Sequence, residues 1–146
     1  MINNDIFNTA KDLIKNGVCT CVIIKDCKII KEANGIGVKP ILQLLEIEPE
    51  ILKNACVCDK IMGKAASMLL ILGRVEYVHG EIMSVPGRDF LLKHNIPHSY
   101  GNLVNNINNR KNDDICPLEK AVLDINKVHD GYKAIKDAIA ILMEKK

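Results

Sequence analysis

The sequence predicts an α/β domain in three layers, α-β-α: a mostly parallel sheet of about five strands, opened by one antiparallel hairpin and covered by helices on both faces. Three observations predict it. Apolar, β-branched runs of strand length alternate with segments whose apolar residues recur at helical spacing. Glycine and proline punctuate most of the junctions between them. The length of 146 residues suits one domain that buries about 70% of the surface its unfolded chain exposes.

Each element follows in order. Asn4 caps a first helix whose apolar face is Ile6, Phe7, Ala10, Leu13 and Ile14, and Gly17 stops it. Val18 to Ile24 and Lys28 to Ala33 read as a hairpin turning at Asp26-Cys27, where a tight turn favours glycine at the place of Cys27. After Asn34-Gly35-Ile36-Gly37-Val38-Lys39, Pro40 opens a short helix through Leu45. The strand Ala55-Cys56-Val57-Cys58 runs into a loop, Asp59 to Lys64, and then a helix from Ala65 that Gly73 ends. Val75 to Met83 forms another strand, Pro86 opens the helix Arg88 to His94, and Pro97 to Val104 forms one more strand. Asn105 to Asp114 is polar and aperiodic, a surface loop. Two helices close the chain: Pro117 to Ile125, and Asp130 to Lys146 with Tyr132, Ile135, Ala138, Ile139 and Leu142 on one face. No repeat or boundary divides residues 1–146, which read as a single domain.

Composition narrows the function. The formal net charge is +2, the lysines are interleaved with acidic residues, and two Phe, three Tyr and no Trp leave little to stack on bases. Nucleic-acid binding is unsupported on both counts. Met1-Ile2-Asn3-Asn4-Asp5 lacks the order of a signal peptide, and the longest apolar run, Met68 to Leu72, is too short to span a bilayer. A cytoplasmic protein away from membranes is expected. Cys19-x-Cys21 and Cys56-x-Cys58 lie in apolar strand-like runs and read as reduced packing thiols among the six cysteines. Residues two apart on a strand are about 6.6 Å apart, an awkward span for two ligands of one zinc. His79, His94, His98 and His129 have no ligand-type partner at helix or strand spacing and read as surface or loop residues. No metal and no cofactor is expected.

The candidate site residues gather around two loops. A strand-to-helix turn ending at Gly63-Lys64 leaves free backbone N–H groups and the positive end of a helix dipole, a place for anions. Lys64 reads either as a solvated lysine of the first helical turn or, because that dipole disfavours a cation there, as a residue with a role: holding an anion or, in an enzyme for which Asp59 is another candidate, acting as base or nucleophile. Gly35-Ile36-Gly37 with Lys39 forms half of a phosphate-binding loop; the third glycine position falls at Pro40-Ile41 and no Walker pattern is present. The plainer alternative there is a turn needing positive φ. Cys116, before Pro117, sits where free N–H groups stabilise a thiolate, against the alternative of packing under the Asn-rich loop. Glu119, at the third helical position, suits the dipole and joins the candidate ligand-binding set.

Four strings, in order, carry a resemblance: Asn34-Gly35-Ile36-Gly37-Val38-Lys39-Pro40, Ala55 to Ala66 with its Asp59-Lys60-Ile61-Met62-Gly63-Lys64, Ser99-Tyr100-Gly101, and Cys116-Pro117-Leu118-Glu119-Lys120-Ala121-Val122. Together they resemble an uncharacterised prokaryotic family assigned to the cytidine deaminase-like superfamily, over roughly Asn4 to Ile125. The resemblance implies a mixed sheet covered by helices, built as helix, hairpin and then βαβ units, and it brings no activity with it. Active zinc deaminases carry His-x-Glu or Cys-x-Glu at one helix start and Pro-Cys-x-x-Cys at the next, because zinc needs three N or S ligands to acidify a water whose proton the Glu moves. Those positions fall on Lys64-Ala65-Ala66 and on Pro86-Gly87-Arg88-Asp89-Phe90. Only the proline remains, which argues against zinc-dependent deamination.

Two functions of different class stay open. One is a binder of a nucleotide-like or phosphorylated small molecule that uses Gly35, Gly37, Lys39, Asp59, Gly63, Lys64 and Glu119. The other is an enzyme of non-zinc chemistry that uses Lys64, Asp59 or Cys116. A third, an interaction protein, is compatible with the homo-oligomers that the superfamily resemblance implies, although no aromatic patch or heptad names an interface.

Overall fold

The computed structural model describes residues 4–144. Its elements are α1 (Asn4–Lys15), β1 (Cys21–Lys25), β2 (Lys28–Ala33), α2 (Lys39–Ile47), a 3-10 turn at Pro49–Ile51, β3 (Cys56–Met62), α3 (Lys64–Leu72), β4 (Tyr77–Ser84), α4 (Val85–Lys93), β5 (His98–Val104), α5 (Pro117–Ala121) and α6 (Val128–Glu144). Lys145 and Lys146, expected at the end of the last helix, lie outside the described residues.

Local chemistry sets the first boundaries. Gly17 takes φ 75°, its N–H bonds the carbonyl of Ile14 and that of Val18 bonds Leu13, so α1 closes with a left-handed residue and two reversed bonds. Those bonds hold Val18 to the helix, and β1 therefore starts at Cys21, later than the expected Val18. Asp26 (φ 53°) and Cys27 (φ 60°) both adopt the left-handed conformation of a two-residue hairpin turn.

The sheet order is β2-β1-β3-β4-β5, with β1 antiparallel to both neighbours and β3, β4 and β5 parallel. Cys21 lies opposite both Ala33 and Asp59, so the end of β2 and the C-terminal ends of β3, β4 and β5 share one edge. Three layers result. On one face Cys21, Ile23, Val57 and Val78 pack against Ile41 and Leu44 of α2, Met68 and Leu69 of α3, Phe90 and Leu91 of α4, Leu118 of α5 and Ile135 of α6. On the other face Val22, Ile24, Cys56 and Cys58 pack against Ala10 and Ile14 of α1. Each fully buried large side chain contributes about 1.5–3 kcal/mol relative to exposure, which makes the five-helix face the main source of stability. Helix α3 is apolar around most of its girth because it is sandwiched between the sheet and α6, where Gly131 lies against Met68.

The structure corrects two expected bounds near the site. Asp59 to Met62 are not a loop: β3 continues through them, and Ile61 and Met62 pair with Ile82 and Met83 of β4. Only Gly63 is left to link strand to helix. Past Asp59 and Gly80 the alternation of faces shifts, so that Met62 and Met83 join the five-helix core although simple alternation would place them with Cys58 and His79. Helix α5 stops at Ala121, short of Ile125.

Candidate functional site

The start of α3 has no capping side chain of its own. Gly63 is the N-cap residue, and its extended backbone (φ −105°, ψ −169°) turns β3 into α3 with no hydroxyl or carboxylate to offer. The cap arrives from α5. Glu119 accepts the N–H of Lys64 at 2.7 Å with one carboxylate oxygen and that of Ala65 at 3.0 Å with the other. The expectation of free N–H groups beside Lys64 is thereby corrected: an internal anion holds both of them. A Cβ on residue 63 would overlap the Glu119 carboxylate, so a larger residue there would push the cap off the helix start.

Two opposing influences act on Glu119. Burial pushes its carboxyl up, and the N–H groups of Ala65 and Lys64 together with the Lys64 charge pull it down. The half-buried Lys64 ammonium donates to the carbonyl of Leu123 at 3.2 Å and lies 5.7 Å from the centre of the Phe90 ring. Burial lowers the Lys64 pKa; the charges of Asp124 and Glu119 oppose it. At the neighbouring helix, the Ser84 hydroxyl accepts the Gly87 N–H at 3.1 Å, and a Cβ on Gly87 would lie 2.9 Å from the Gly63 carbonyl carbon. The starts of α3 and α4 are in direct contact.

Asp59 sits four residues before Gly63 on β3, 5% exposed, opposite Cys21 on one side and Gly80 on the other. Its carboxyl oxygen Oδ1 accepts the N–H of Lys60 at 2.9 Å, and burial raises its pKa to about 8. A carboxylic acid, not a carboxylate, is therefore the dominant form at neutral pH. The thiol of Cys21 is pushed well up, first by burial and then by Asp59.

Gly35, Gly37 and Lys39 form the β2–α2 connection on the same edge of the sheet. Gly37 has φ 60°, the positive value its turn needs, and the Lys39 side chain is exposed at the start of α2. No hydrogen bond joins this connection to Lys64 among the described residues. A groove of about 170 Å³ lies beside it, between β2 and α2 and lined by Lys31, Asn34, Pro40 and Glu48. Cys116 is the N-cap residue of α5 and packs, half-buried, against the core. The structure thus unites Gly63, Lys64 and Glu119, sets Asp59 on the same strand, and leaves Gly35, Gly37 and Lys39 as neighbours on the edge.

All six cysteines are unpaired thiols; Cys19, Cys21, Cys56 and Cys58 are buried. Among the described residues no three His, Cys, Asp or Glu side chains converge as a metal set. The starts of α3 and α4 present Lys64, Ala65 and Ala66, then Gly87 and Arg88, and these do not fit zinc. No helix among the described residues is long and apolar enough to cross a membrane.

One expectation about the histidines is overturned. His79 is a buried residue of β4, 3% exposed, with Nδ1 2.7 Å from the Ser99 hydroxyl and Nε2 2.8 Å from the Glu81 carboxylate. The sequence signal for half of this was present, since Glu81 is two residues along the same strand. Ser99 lies on the adjacent strand, and only the register of β4 with β5 brings it opposite His79.

The chain resembles known proteins over nearly its full length. Residues 9–139 match the family model described as TM1506, a domain of unknown function (DUF1893). The crystal structure of a DUF1893 family protein from Thermotoga maritima is similar with a TM-score of 0.80 and 20% identity, over 100% of this chain and 93% of that one. RibD from Acinetobacter baumannii is matched with a TM-score of 0.48 and 19% identity, over 66% of this chain and 35% of that one. No curated protein matches the sequence. With the family model spanning all but the ends of the chain, this protein belongs to the DUF1893 family of domains of unknown function.

Proposed function

We propose that this protein binds a nucleotide-like or phosphorylated small molecule at the start of α3, on a deaminase-like framework that has no zinc chemistry, and that Glu119 is the internal stand-in for the ligand's anionic group. One observation carries the reading: two adjacent N–H groups at the positive end of α3 hold both oxygens of a carboxylate delivered from elsewhere in the chain, with a lysine ammonium alongside. This geometry suits phosphate oxygens equally well. The neutral form of Asp59 supports it, because a buried carboxylate four residues away would repel an anion. Helix α5 is anchored in the core by Leu118 and, just past its end, Val122, so Glu119 can be displaced by rotation of its own side chain while the helix stays docked. Once Glu119 leaves, Lys64 is free to exchange the Leu123 carbonyl for the ligand. Gly35, Gly37 and Lys39 border the same edge.

The Asp59 carboxyl supports a second reading, an enzyme of non-zinc chemistry: a buried acid with pKa about 8 can donate a proton at neutral pH. Lys64 and Cys116, the companion candidates, make no hydrogen bond to Asp59 among the described residues, which favours the binding reading.

The binding reading is tested by thermal unfolding with inorganic phosphate and with nucleoside monophosphates, in the original chain and in Glu119→Ala and Lys64→Ala. Losing the carboxylate cap lowers the ligand-free stability of Glu119→Ala by about 1–2 kcal/mol. The same variant exposes the two N–H groups and is expected to gain more from phosphate than the original chain; ligand at 100 times its Kd contributes about 2.7 kcal/mol. In Lys64→Ala the gain shrinks. Stabilisation by no phosphorylated compound, in Glu119→Ala included, removes the proposal.

A further inference from the structure

We propose that Ser99, His79 and Glu81 form a second chemical site on the α1 face of the sheet, an activated serine that accepts acyl groups from carboxylic esters. The three side chains lie in line. The Glu81 carboxylate is 2.8 Å from Nε2 of His79, and Nδ1 of the same ring is 2.7 Å from the Ser99 hydroxyl. A carboxylate can only accept, so Glu81 fixes the proton on Nε2, and Nδ1 is left as the acceptor for the serine O–H. This is the division of roles an acyl-transfer serine needs: nucleophile, base and orienting acid.

The surroundings favour chemistry over plain packing. The His79 ring is held by the edge of Phe7, with centroids 5.2 Å apart, and burial keeps its pKa low, so the neutral base persists at physiological pH. Lys15 is 3.7 Å from the second Glu81 oxygen and places a positive charge beside it. Helix α1 packs on β1, β2 and β3 and reaches β4 through Phe7 and Lys15, whereas the helix that packs on β5 is α4, from the opposite face. Ser99 is therefore half-buried at the margin of the α1 layer. Gly101, two residues on, lets the two strands approach closely beside Glu81; a Cβ there would be 2.7 Å from the Glu81 carbonyl oxygen and 3.3 Å from its Oε2. The bond from Val78 N–H to the Pro97 carbonyl sets the phase of the β4–β5 ladder, so the Ser99 backbone faces β4 and the Tyr100 N–H faces the free edge. That N–H, on the residue after the nucleophile, is a donor of the type that stabilises an oxyanion. Lys11, with its ammonium 4.7 Å from the Phe7 ring centre, and Lys15 make the rim basic, which favours esters whose acyl part carries a negative charge.

The Ser99 oxygen attacks the ester carbonyl while its proton passes to Nδ1 of His79; the carbon–oxygen bond to the alcohol breaks, and the alcohol leaves with that proton. Water then attacks the acyl-serine, gives a proton to Nδ1, and the carboxylic acid leaves as the Ser99 hydroxyl is restored. No oxidant or metal is consumed. Ser99 and His79 are the catalytic residues, and Glu81 is a positioning residue.

A fluorophosphonate probe tests the nucleophile directly, because attack by a serine oxygen expels fluoride and leaves a stable adduct. Mass spectrometry of the full chain is expected to show one adduct, mapped to Ser99, absent in Ser99→Ala, whose single lost hydroxyl leaves the fold intact. In Glu81→Gln labelling is expected to slow roughly tenfold or more, and the ring-nitrogen shifts of His79 in ¹⁵N NMR are expected to move away from the pure Nε2–H tautomer. His79→Asn is expected to abolish labelling. No adduct on the folded protein, or equal labelling in Glu81→Gln and the original chain, overturns the proposal; the latter result makes the triad a satisfied hydrogen-bond chain. Because this site lies on the face opposite Glu119, its failure leaves the phosphate-binding reading untouched, and the converse holds.

Discussion

Asp59 shows how one buried group sets a pH dependence. Its pKa is 3.8 in an ordinary setting and about 8 in the fold, so between those values the folded chain holds a proton that the unfolded chain has released. Stability then falls as pH rises through this window, because the native state binds more protons than the unfolded state. At about 1.4 kcal/mol per pH unit, the loss by pH 8 is on the order of 5 kcal/mol. His79 acts with the opposite sign: burial lowers its pKa below 6.5, so its contribution is present above that value and lost as pH falls below it. Above pH 6.5 the Asp59 effect stands alone of the two. Asp59→Asn, which keeps the volume and an acceptor for the Lys60 N–H, is expected to match the original chain near pH 4 and to be more stable by a few kcal/mol at pH 8. Urea midpoints at the two pH values check this, and equal midpoints at pH 8 would show that Asp59 is not the buried acid described.

At the scale of elements, the hairpin turn and the α3 clamp show how differently the two kinds of structure are written. The turn is local. Asp26 and Cys27 both hold positive φ, a conformation that costs an L-residue roughly 1 kcal/mol and glycine almost nothing. Cys27 is exposed, and Cys27→Gly is expected to raise stability by about 0.5–1 kcal/mol, with the gain partly offset by the greater freedom of glycine in the unfolded chain; guanidinium denaturation would measure it. Such signals were readable in the sequence, as were the Gly17 stop and the proline starts of α2 and α5. The end of β3 was not. Asp59 and Lys60 are poor strand formers, and they are held extended by the pairing of Asp59 with Gly80 and Cys21 and by the bond from the Lys60 N–H to the Thr20 carbonyl. The clamp was half readable: Gly63 and Lys64 announce a helix start, but the arrival of Glu119 depends on α5 docking from 55 residues away. The relay of His79, Glu81 and Ser99 was hidden for the same reason, since its last member is placed by parallel register alone.

For the whole molecule, the uneven layers determine which parts are indispensable. One helix, α1, covers one face, while α2 to α6 share the other, and α6 closes that side by lying on α3. Its first half carries the burden: Ile135 is fully buried, Gly131 abuts the Met68 sulfur, and Tyr132 and Lys136 reach Glu46 of α2 at 2.8 Å each. Its last turn is different, with Ile141, Leu142 and Met143 exposed. A chain ending at Ile139 is therefore expected to fold cooperatively with stability within about 1 kcal/mol of the original, since it loses mostly solvated surface. A chain ending at Lys127 uncovers Met68 and removes Ile135, a loss of several kcal/mol against a typical total of 5–15 kcal/mol. Its urea transition should broaden and its midpoint collapse. Should the shorter chain unfold as sharply as the longer one, α6 would be an appendage rather than the lid of the core, and Glu119, whose α5 packs against α6, would have to owe its position to α3 alone.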